Sequence, residues 1–275
     1  MYRVIKVLNN NGILALDDGT KREVVFLGNG VGFGRKTGER LESVSGAKIY
    51  GLINRSKTDT ALKVINGIDP VYLEITGKII EEAEKEFGEV NRDILLPLAD
   101  HIALAVKRSG EGRQIANPFT PDIKVLFHKE FAIALKARDI IQEMTGHMIS
   151  EDEAGFITLH IRSSRTDEKV SEALDAARII SGSIGIIEEK FNVSIPTDSL
   201  GYNRLTSHLY YMILRVRKGE KLKVDINQFV QEKYPLADEC AHKICEYIRQ
   251  EIKREIMEEE KGFLGIHIQR IIGNE

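Results

Sequence analysis

The chain has 275 residues, 42% of them hydrophobic and 29% charged, with a formal net charge of −3. This length allows one to three domains, each with a core of its own. The apolar runs are too short to cross a lipid bilayer, so we expect no membrane insertion. Cys240 and Cys245 are the only cysteines. Neither a disulfide framework nor a thiolate metal cage is therefore expected, and a cytoplasmic location follows.

Charge is distributed unevenly along the chain. Residues 1–50 contain eight Lys or Arg and five Asp or Glu, which leaves 31 basic and 37 acidic residues for the remainder. The first 50 residues thus carry a balance of +3, and the remainder carries −6. A basic head followed by an acidic body indicates that the head binds a polyanion.

The head, residues 1–57, contains four short runs rich in β-branched and aromatic residues. These runs are YRVIKVL, GILALDD, KREVVFLG and AKIYGL, and glycine, asparagine or aspartate separates them. They predict a small antiparallel all-β domain of four strands. Because a domain of about 55 residues buries little apolar surface alone, we expect it to dimerise through an edge or a face of its sheet.

A glycine-rich loop joins the last two predicted strands. Its sequence, LGNGVGFGRK, runs from Leu27 to Lys36 with glycine at every second position from 28 to 34. A nucleotide-binding loop is disfavoured because no helix and no GK[ST] lysine follow. A flexible hairpin loop fits the composition. So does a backbone that RNA or DNA approaches closely, with Phe33 for base stacking and Arg35 and Lys36 for phosphates.

The body contains a sequence repeat. EAGFITLHI (Glu153–Ile161) and EKGFLGIHI (Glu260–Ile268) share five of nine residues at an offset of 107. Other landmarks follow the same offset, including the pairs His101/His208 and Arg108/Arg215. The body is therefore predicted to be a tandem duplication with repeats at 66–169 and 170–275.

Each repeat is predicted to be an α-helical bundle, because apolar residues recur at helical spacing and no alternating strand pattern follows residue 60. Acidic residues open both copies of the nonapeptide, as a helix N-terminus favours. Ser150 is the predicted N-cap of one such helix, with Glu153 completing a capping box. Another helix is predicted to begin at Thr197 and to end near Gly219.

Four histidines form two pairs with one internal spacing. His101 and His160 are 59 residues apart, and so are His208 and His267. Such histidines are often core residues, and zinc or iron binding is a weak alternative because no fixed carboxylate or HxxxH spacing accompanies them. A nucleophilic ring near neutral pH also accepts phosphoryl groups. Three histidines without a counterpart in the other repeat are expected to be structural: His128, His147 and His242.

Six segments of the chain, taken in order, carry a family resemblance: KVLNNN, GNGVGFGRK, DHIALAVKR, EAGFITLHI, SHLYY and KGFLGIHI. Over essentially the whole chain, they resemble the bacterial transcriptional antiterminators typified by those of β-glucoside, sucrose and glucose operons. VLNNN, GVGFGRK, NPF and EKYPL are most similar to the glucose-operon branch. The resemblance implies that residues 1–57 bind, as a homodimer, a short RNA stem-loop overlapping a transcription terminator.

Carried over by motif, the resemblance implies RNA contacts by six residues of the head: Lys6, Asn11, Gly28, Asn29, Gly30 and Phe33. Asn29 departs from the Arg or Lys that the family usually has between two glycines. This difference removes one cation that would pair with a phosphate.

The resemblance also implies that the repeats are two phosphotransferase-system regulation domains whose four paired histidines, 101, 160, 208 and 267, accept phosphoryl groups. The donors would be the phosphocarrier HPr and a sugar-specific permease of that system, the glucose permease in the most similar branch. Such a regulator has no catalytic turnover, no metal and no cofactor.

Two alternative functions stay open. One is a metal-dependent hydrolase using the four histidines, and the other is a DNA-binding regulator, which the lack of a helix-turn-helix pattern in residues 1–55 disfavours.

Overall fold

A computed structural model describes residues 1–51 and 65–273 of the chain. The segment NRSKTDT (Asn54–Thr60) and the predicted end of the head at residue 57 lie outside these described residues. The described residues form two compact units. The first comprises Met1–Asn117 and Lys129–Glu168, and the second comprises Pro118–His128 and Lys169–Glu275.

The head is an antiparallel sheet, as predicted from its four β-rich runs. Its strands are β1 (Tyr2–Asn9), β2 (Gly12–Asp17), β3 (Glu23–Leu27), β4 (Arg40–Leu41) and β5 (Lys48–Gly51). Their order across the sheet is β4-β1-β2-β3-β5. The prediction of four strands missed β4, because a strand of two residues is too short to show an alternating pattern.

Both faces of the sheet are covered. On one face, Val31 of the loop after β3 and Leu41 of β4 pack against residues of the three central strands, which are Val4, Ile13, Ala15, Val24 and Phe26. On the other face, a core cluster of the first unit includes Leu14, Val25, Leu27 and Tyr50. Successive residues of β2 are therefore buried over its first four positions, as expected for a strand covered on both sides.

The body is helical, which confirms the prediction for the two repeats. Its helices in the described residues are α1 (Pro70–Phe87), α2 (Leu95–Gly110), α3 (Thr120–Leu126), α4 (His128–Thr145), α5 (Glu151–Ser163), α6 (Val170–Phe191), α7 (Leu200–Lys218), α8 (Asn227–Lys233), α9 (Pro235–Ile252) and α10 (Glu258–Ile272). Across residues 1–51 and 65–273, none of the helices has both the length and the apolar character needed to span a membrane.

The first unit places α1 against the sheet of the head. Leu73, Ile79 and Ile80 of α1 belong to the same buried cluster as Leu14 and Tyr50 of the head. Asp69 caps the helix by accepting a hydrogen bond from the backbone N–H of Val71 at 3.0 Å. The head and the first repeat therefore share one core.

The second unit contains α3 together with α6 to α10. Asp122 of α3 accepts a hydrogen bond of 2.5 Å from the Tyr202 hydroxyl of α7. Burial raises the pKa of Asp122 to about 6, although the bond from Tyr202 opposes this shift. The ranges 66–169 and 170–275 for the two repeats stay a prediction.

Two details of the predicted helix ends differ from the structure. Ser199, and not Thr197, caps α7 by accepting a bond from the backbone N–H of Tyr202, whereas Gly219 ends that helix as predicted, with φ of 71°. Ser150 caps α5 as predicted. The carboxylate of Glu153 does not complete a capping box, because it contacts side chains of α2 described below.

Candidate nucleic-acid interface and histidine pairs

The glycine-rich loop of the head is held against the turn between β1 and β2. The backbone N–H groups of Gly28 and Gly32 donate to the carbonyls of Asn11 and Asn10, both at 2.9 Å. The N–H of Gly30 donates to Oδ1 of Asn11 at 3.0 Å. These bonds fix the loop, so it is not a freely moving hairpin connection.

Two glycines of the loop pack closely against backbone atoms of other segments. A Cβ atom at Gly32 would lie 2.0 Å from the carbonyl oxygen of Asn9, and one at Gly28 would lie 2.5 Å from that of Gly46. Backbone atoms cannot retreat as a flexible side chain can. A larger residue at Gly32 would therefore push the loop away from the β1–β2 turn, and one at Gly28 would push it away from the segment before β5. The glycine pattern in the sequence reflects this packing.

Phe33 projects from the loop and is 75% exposed, which is unusual for a phenylalanine. Asn29 is exposed as well. Of the two cations predicted for phosphates, Arg35 forms an ion pair of 2.6 Å with Glu39, whereas Lys36 is exposed. The loop thus offers a planar ring for stacking in an exposed position.

Lys6 and Asn11, predicted to contact RNA, bond to the segment that begins the body. The Lys6 ammonium donates to Oδ1 of Asn66 at 2.6 Å. The Asn11 amide donates to Oε2 of Glu74 at 3.0 Å, and the Asn9 amide donates to Oε1 of the same carboxylate. The structure therefore brings Asn11 together with the glycine loop and with α1.

The first histidine pair joins α2 and α5. The rings of His101 and His160 are partly buried, and their centroids lie 5.6 Å apart. Nε2 of His101 lies 3.2 Å from Oε2 of Glu153, while Arg108 donates from Nε and Nη2 to Oε1 of that carboxylate at 2.9 and 2.7 Å. Burial favours a higher pKa for Glu153, but His101 and Arg108 outweigh it and hold this pKa below its usual value.

The second histidine pair joins α7 and α10 and has a different geometry. The rings of His208 and His267 stack with centroids 4.2 Å apart and an interplanar angle of 27°. Arg215 binds both carboxylate oxygens of Glu260, at 2.7 and 2.8 Å. The buried Nε2 of His208 has no hydrogen-bond partner among the described residues. The two repeats therefore use equivalent residues in different ways.

Burial keeps the second pair neutral. It lowers the pKa of His208 to about 3, with smaller effects from the charges of His267 and Arg215. Burial also lowers the pKa of His267, assisted by Arg270 and Arg204. A neutral imidazole keeps a free lone pair on one ring nitrogen, which nucleophilic attack requires.

We expect the second unit to lose stability in acid through His208. Its pKa is about 3 in the folded chain, against an ordinary value of 6.5, so the unfolded chain takes up this proton first as the pH falls below about 6.5. At pH 5 this difference amounts to about 2 kcal/mol. The raised pKa of Asp122 acts in the opposite direction.

Comparing the His208→Gln variant with the unmodified chain isolates the effect of His208, because the opposing effect of Asp122 is present in both proteins. The free energy of unfolding, measured by denaturant titration at pH 7 and pH 5, should fall less in the variant. An equal loss of unfolding free energy in both proteins would show that His208 does not cause the loss of stability in acid.

Sequence reasoning missed the two Arg–Glu pairs that lie beside the histidines. Arg108 and Glu153 are 45 residues apart, and so are Arg215 and Glu260. Both pairs follow the offset of 107 that relates the repeats. The shared spacing was a detectable signal, although Arg108 and Arg215 served only as landmarks of the duplication.

A metal centre finds no support in this arrangement. Within residues 1–51 and 65–273, no group of three or more His, Cys, Asp or Glu side chains is placed to hold a metal ion. The paired histidines instead contact each other, and His101 also contacts the Phe156 ring and a carboxylate that an arginine already binds. Of the unpaired histidines, His242 contacts the backbone carbonyl of Asp238 on its own helix at 2.9 Å.

Known protein families match both the head and the body of the chain. The family model of the CAT RNA binding domain matches residues 2–59, and that of the PRD domain matches residues 77–164 and 182–271. Among solved structures, the crystal structure of GlcT CAT-PRDI is 34% identical with a TM-score of 0.52, covering 60% of this chain and 98% of that one.

Curated relatives extend the similarity over nearly the full length. Transcription antiterminator LicT of Bacillus subtilis (strain 168) is 30% identical, covering 98% of this chain and 99% of that protein. The GlcA/glcB genes antiterminator of Staphylococcus carnosus (strain TM300) is 33% identical, covering 97% and 94%. The PtsGHI operon antiterminator of Bacillus subtilis (strain 168) is 30% identical, covering 98% and 97%.

Proposed function

Because the chain belongs to the family of transcription antiterminators that combine a CAT RNA-binding domain with two PRD domains, we propose that it binds an RNA stem-loop as a homodimer and that phosphorylation of its paired histidines controls this binding. The observation that carries this conclusion is the order of the matched domains, one RNA-binding head followed by two repeats. The function of the chain is thus transcriptional antitermination. A hydrolase built on the four histidines is not supported.

The head supports the RNA-binding part of this proposal. Its fixed loop offers the exposed Phe33 ring for stacking on an unpaired base, and the surrounding glycines allow a sugar-phosphate backbone to come close. Lys6, Asn11 and Asn29 supply donors for phosphates and base edges. Binding is therefore expected to weaken as salt concentration rises, since cations contribute to it.

The paired histidines support the phosphorylation part. In each transfer, a neutral imidazole nitrogen attacks the phosphorus of a donor phosphohistidine or phosphocysteine, a new N–P bond forms, and the donor side chain leaves. We propose that the acceptors are the four histidines that the duplication places in two pairs: His101, His160, His208 and His267. The chain itself then receives phosphate and turns over no substrate.

The proposed donors are the phosphocarrier HPr and the glucose permease of the phosphotransferase system. The glucose assignment draws on the names of relatives that act on glcA/glcB and ptsGHI. A cytoplasmic location is part of the proposal, since nascent RNA and the phosphocarrier must both reach the chain.

A phosphoryl group adds about 1.5 to 2 negative charges. At His101 this charge would arise beside Glu153, in a body that already carries a balance of −6. We propose that this site lies near the contact between two copies, so the added charge repels the partner copy. The proposed switch therefore lowers RNA affinity by loosening the homodimer.

We expect His101→Asp to mimic this state in part, because it adds one negative charge where phosphate adds nearly two. Dimer stability and RNA affinity should fall together. Sedimentation velocity and titration with a hairpin RNA, both on the same sample, measure the two quantities. Without its ring, His101→Ala should instead give antitermination in the absence of sugar.

The matched control is His147→Asp, which adds the same charge in the first repeat at a histidine without a counterpart in the second. It should leave both quantities unchanged. If His101→Asp loses RNA binding while the dimer stays intact, the switch reorients the heads and charge repulsion between copies is the wrong mechanism.

A further inference from the structure

Helix α1 turns a row of carboxylates toward the head. Glu74, Glu81 and Glu84 are spaced by seven and three residues, so they share one face of the helix. Glu74 bonds to the amides of the β1–β2 turn. Lys48 of β5 lies 3.6 Å from Glu81 and 2.9 Å from Glu84. An acidic helix face therefore meets the cations and amide donors of a basic head.

The same helix face makes a close apolar contact. A Cβ atom at Gly77 would lie 3.1 Å from Cδ1 of Leu27 and 3.3 Å from the hydroxyl oxygen of Tyr50. Glycine at this position thus lets the helix backbone come close to the sheet. Leu27 immediately precedes the glycines of the loop, so this contact lies beside the proposed RNA interface.

We infer that α1 and RNA bind the same surface of the head and exclude each other. This inference rests on the proposed RNA contacts. The Glu74 carboxylate accepts from the Asn11 amide, so it occupies the position where an RNA acceptor of that amide would have to lie. A phosphate placed there would meet a carboxylate of like charge.

The polar contacts of Glu74 resemble those of a bound phosphate. A carboxylate accepts hydrogen bonds through two oxygens, and here each oxygen accepts from a different asparagine. Lys6 is also engaged by the body, since its ammonium donates to Asn66 just before α1. RNA must therefore displace α1 and the residues just before it, including Asn66, before it can bind Lys6 and Asn11.

Part of the surface stays outside this contact. Phe33 is 75% exposed and Asn29 is exposed, so an RNA loop can meet them while α1 is in place. Full binding then requires α1 to leave the β1–β2 turn. The affinity measured for RNA is then the intrinsic affinity multiplied by the fraction of molecules in which α1 has left the surface.

The test compares the full chain with its Glu74→Ala variant in titrations with a hairpin RNA. The variant keeps every proposed RNA contact and loses the competing carboxylate. We expect it to bind about tenfold more tightly, since two charge-assisted hydrogen bonds no longer favour the closed arrangement. Glu86→Ala is the matched control, because Glu86 is exposed on the same helix and pairs with Lys129 of the body.

Gly77→Leu provides a second route to the same result. Its side chain would collide with Leu27 and Tyr50 and push α1 from the sheet without altering a proposed RNA contact. It should also bind RNA more tightly. Unchanged or weaker RNA binding in Glu74→Ala would overturn the inference, whatever the fate of Gly77→Leu.

Phe33→Ala separates this inference from the proposed function. If Phe33→Ala weakens RNA binding and Glu74→Ala does not strengthen it, the RNA surface is correct and competition by α1 is wrong. If Phe33→Ala has no effect in either background, the proposed RNA surface itself is wrong, and with it the competition.

Discussion

Replacing Phe33 with alanine is expected to weaken binding of hairpin RNA by about 1–3 kcal/mol, or roughly 5- to 150-fold. The ring is 75% exposed at the tip of a loop that hydrogen bonds hold in place, so its loss removes a stacking surface without opening the core. Titration of the full chain and its variant with the same RNA measures the effect, and thermal unfolding verifies that the fold is retained.

The matched control for this change is Phe229→Ala. Phe229 is also an exposed phenylalanine, at 50%, and it lies on α8 of the second unit. Its loss should leave RNA affinity unchanged. If Phe33→Ala leaves the RNA affinity unchanged, the ring does not stack on the RNA. If both changes weaken binding equally, the effect comes from loss of exposed apolar surface in general.

Arg215→Met is expected to lower the free energy of unfolding of the second unit by about 3–5 kcal/mol. The Glu260 side chain is 2% exposed, and Arg215 binds both of its oxygens. Removal of the guanidinium leaves a charge buried without its partner. The double variant Arg215→Met, Glu260→Leu removes both charges and should regain most of the stability. Denaturant titration of the three proteins gives the values.

Arg249→Met is the control for this prediction. Arg249 also donates two hydrogen bonds to a glutamate, Glu246, but both side chains are more than 40% exposed. Water replaces the lost partner there, so the change should cost less than about 1 kcal/mol. Similar losses in Arg215→Met and Arg249→Met would show that burial of Glu260 is not the cause.

The sheet and the helical repeats could be predicted because each depends on local pattern. Alternating residues between glycine-rich turns predicted the head, and the offset of 107 predicted two bundles of one design. The spacing of 59 residues, shared by both repeats, paired His101 with His160 and His208 with His267 from the sequence alone. Each pair is indeed in ring contact.

Contacts between distant side chains could not be predicted in this way. Glu153 was expected to bond back to the backbone N–H of Ser150, but the Arg108 guanidinium is a stronger partner for this buried carboxylate than a backbone N–H. The contact of Glu74 with Asn9 and Asn11 joins residues more than 60 positions apart. A periodic sequence pattern gives no indication of such a pair.

The difference between the two histidine pairs was also beyond sequence reasoning. Both repeats have the same Arg, Glu and two His at equivalent positions. Arg108 leaves one oxygen of Glu153 facing His101, whereas Arg215 binds both oxygens of Glu260. The equivalent residues alone do not indicate which carboxylate oxygens each arginine binds.

The most direct test of histidine control is to incubate the chain with phosphoenolpyruvate, enzyme I and HPr, with and without the glucose permease, and to map any phosphate on it. Acid-labile phosphate should be located by mass spectrometry on peptides kept at alkaline pH. We predict label on the paired histidines, which are His101, His160, His208 and His267. Label confined to His128, His147 and His242, or no label at any histidine, would contradict the proposed control.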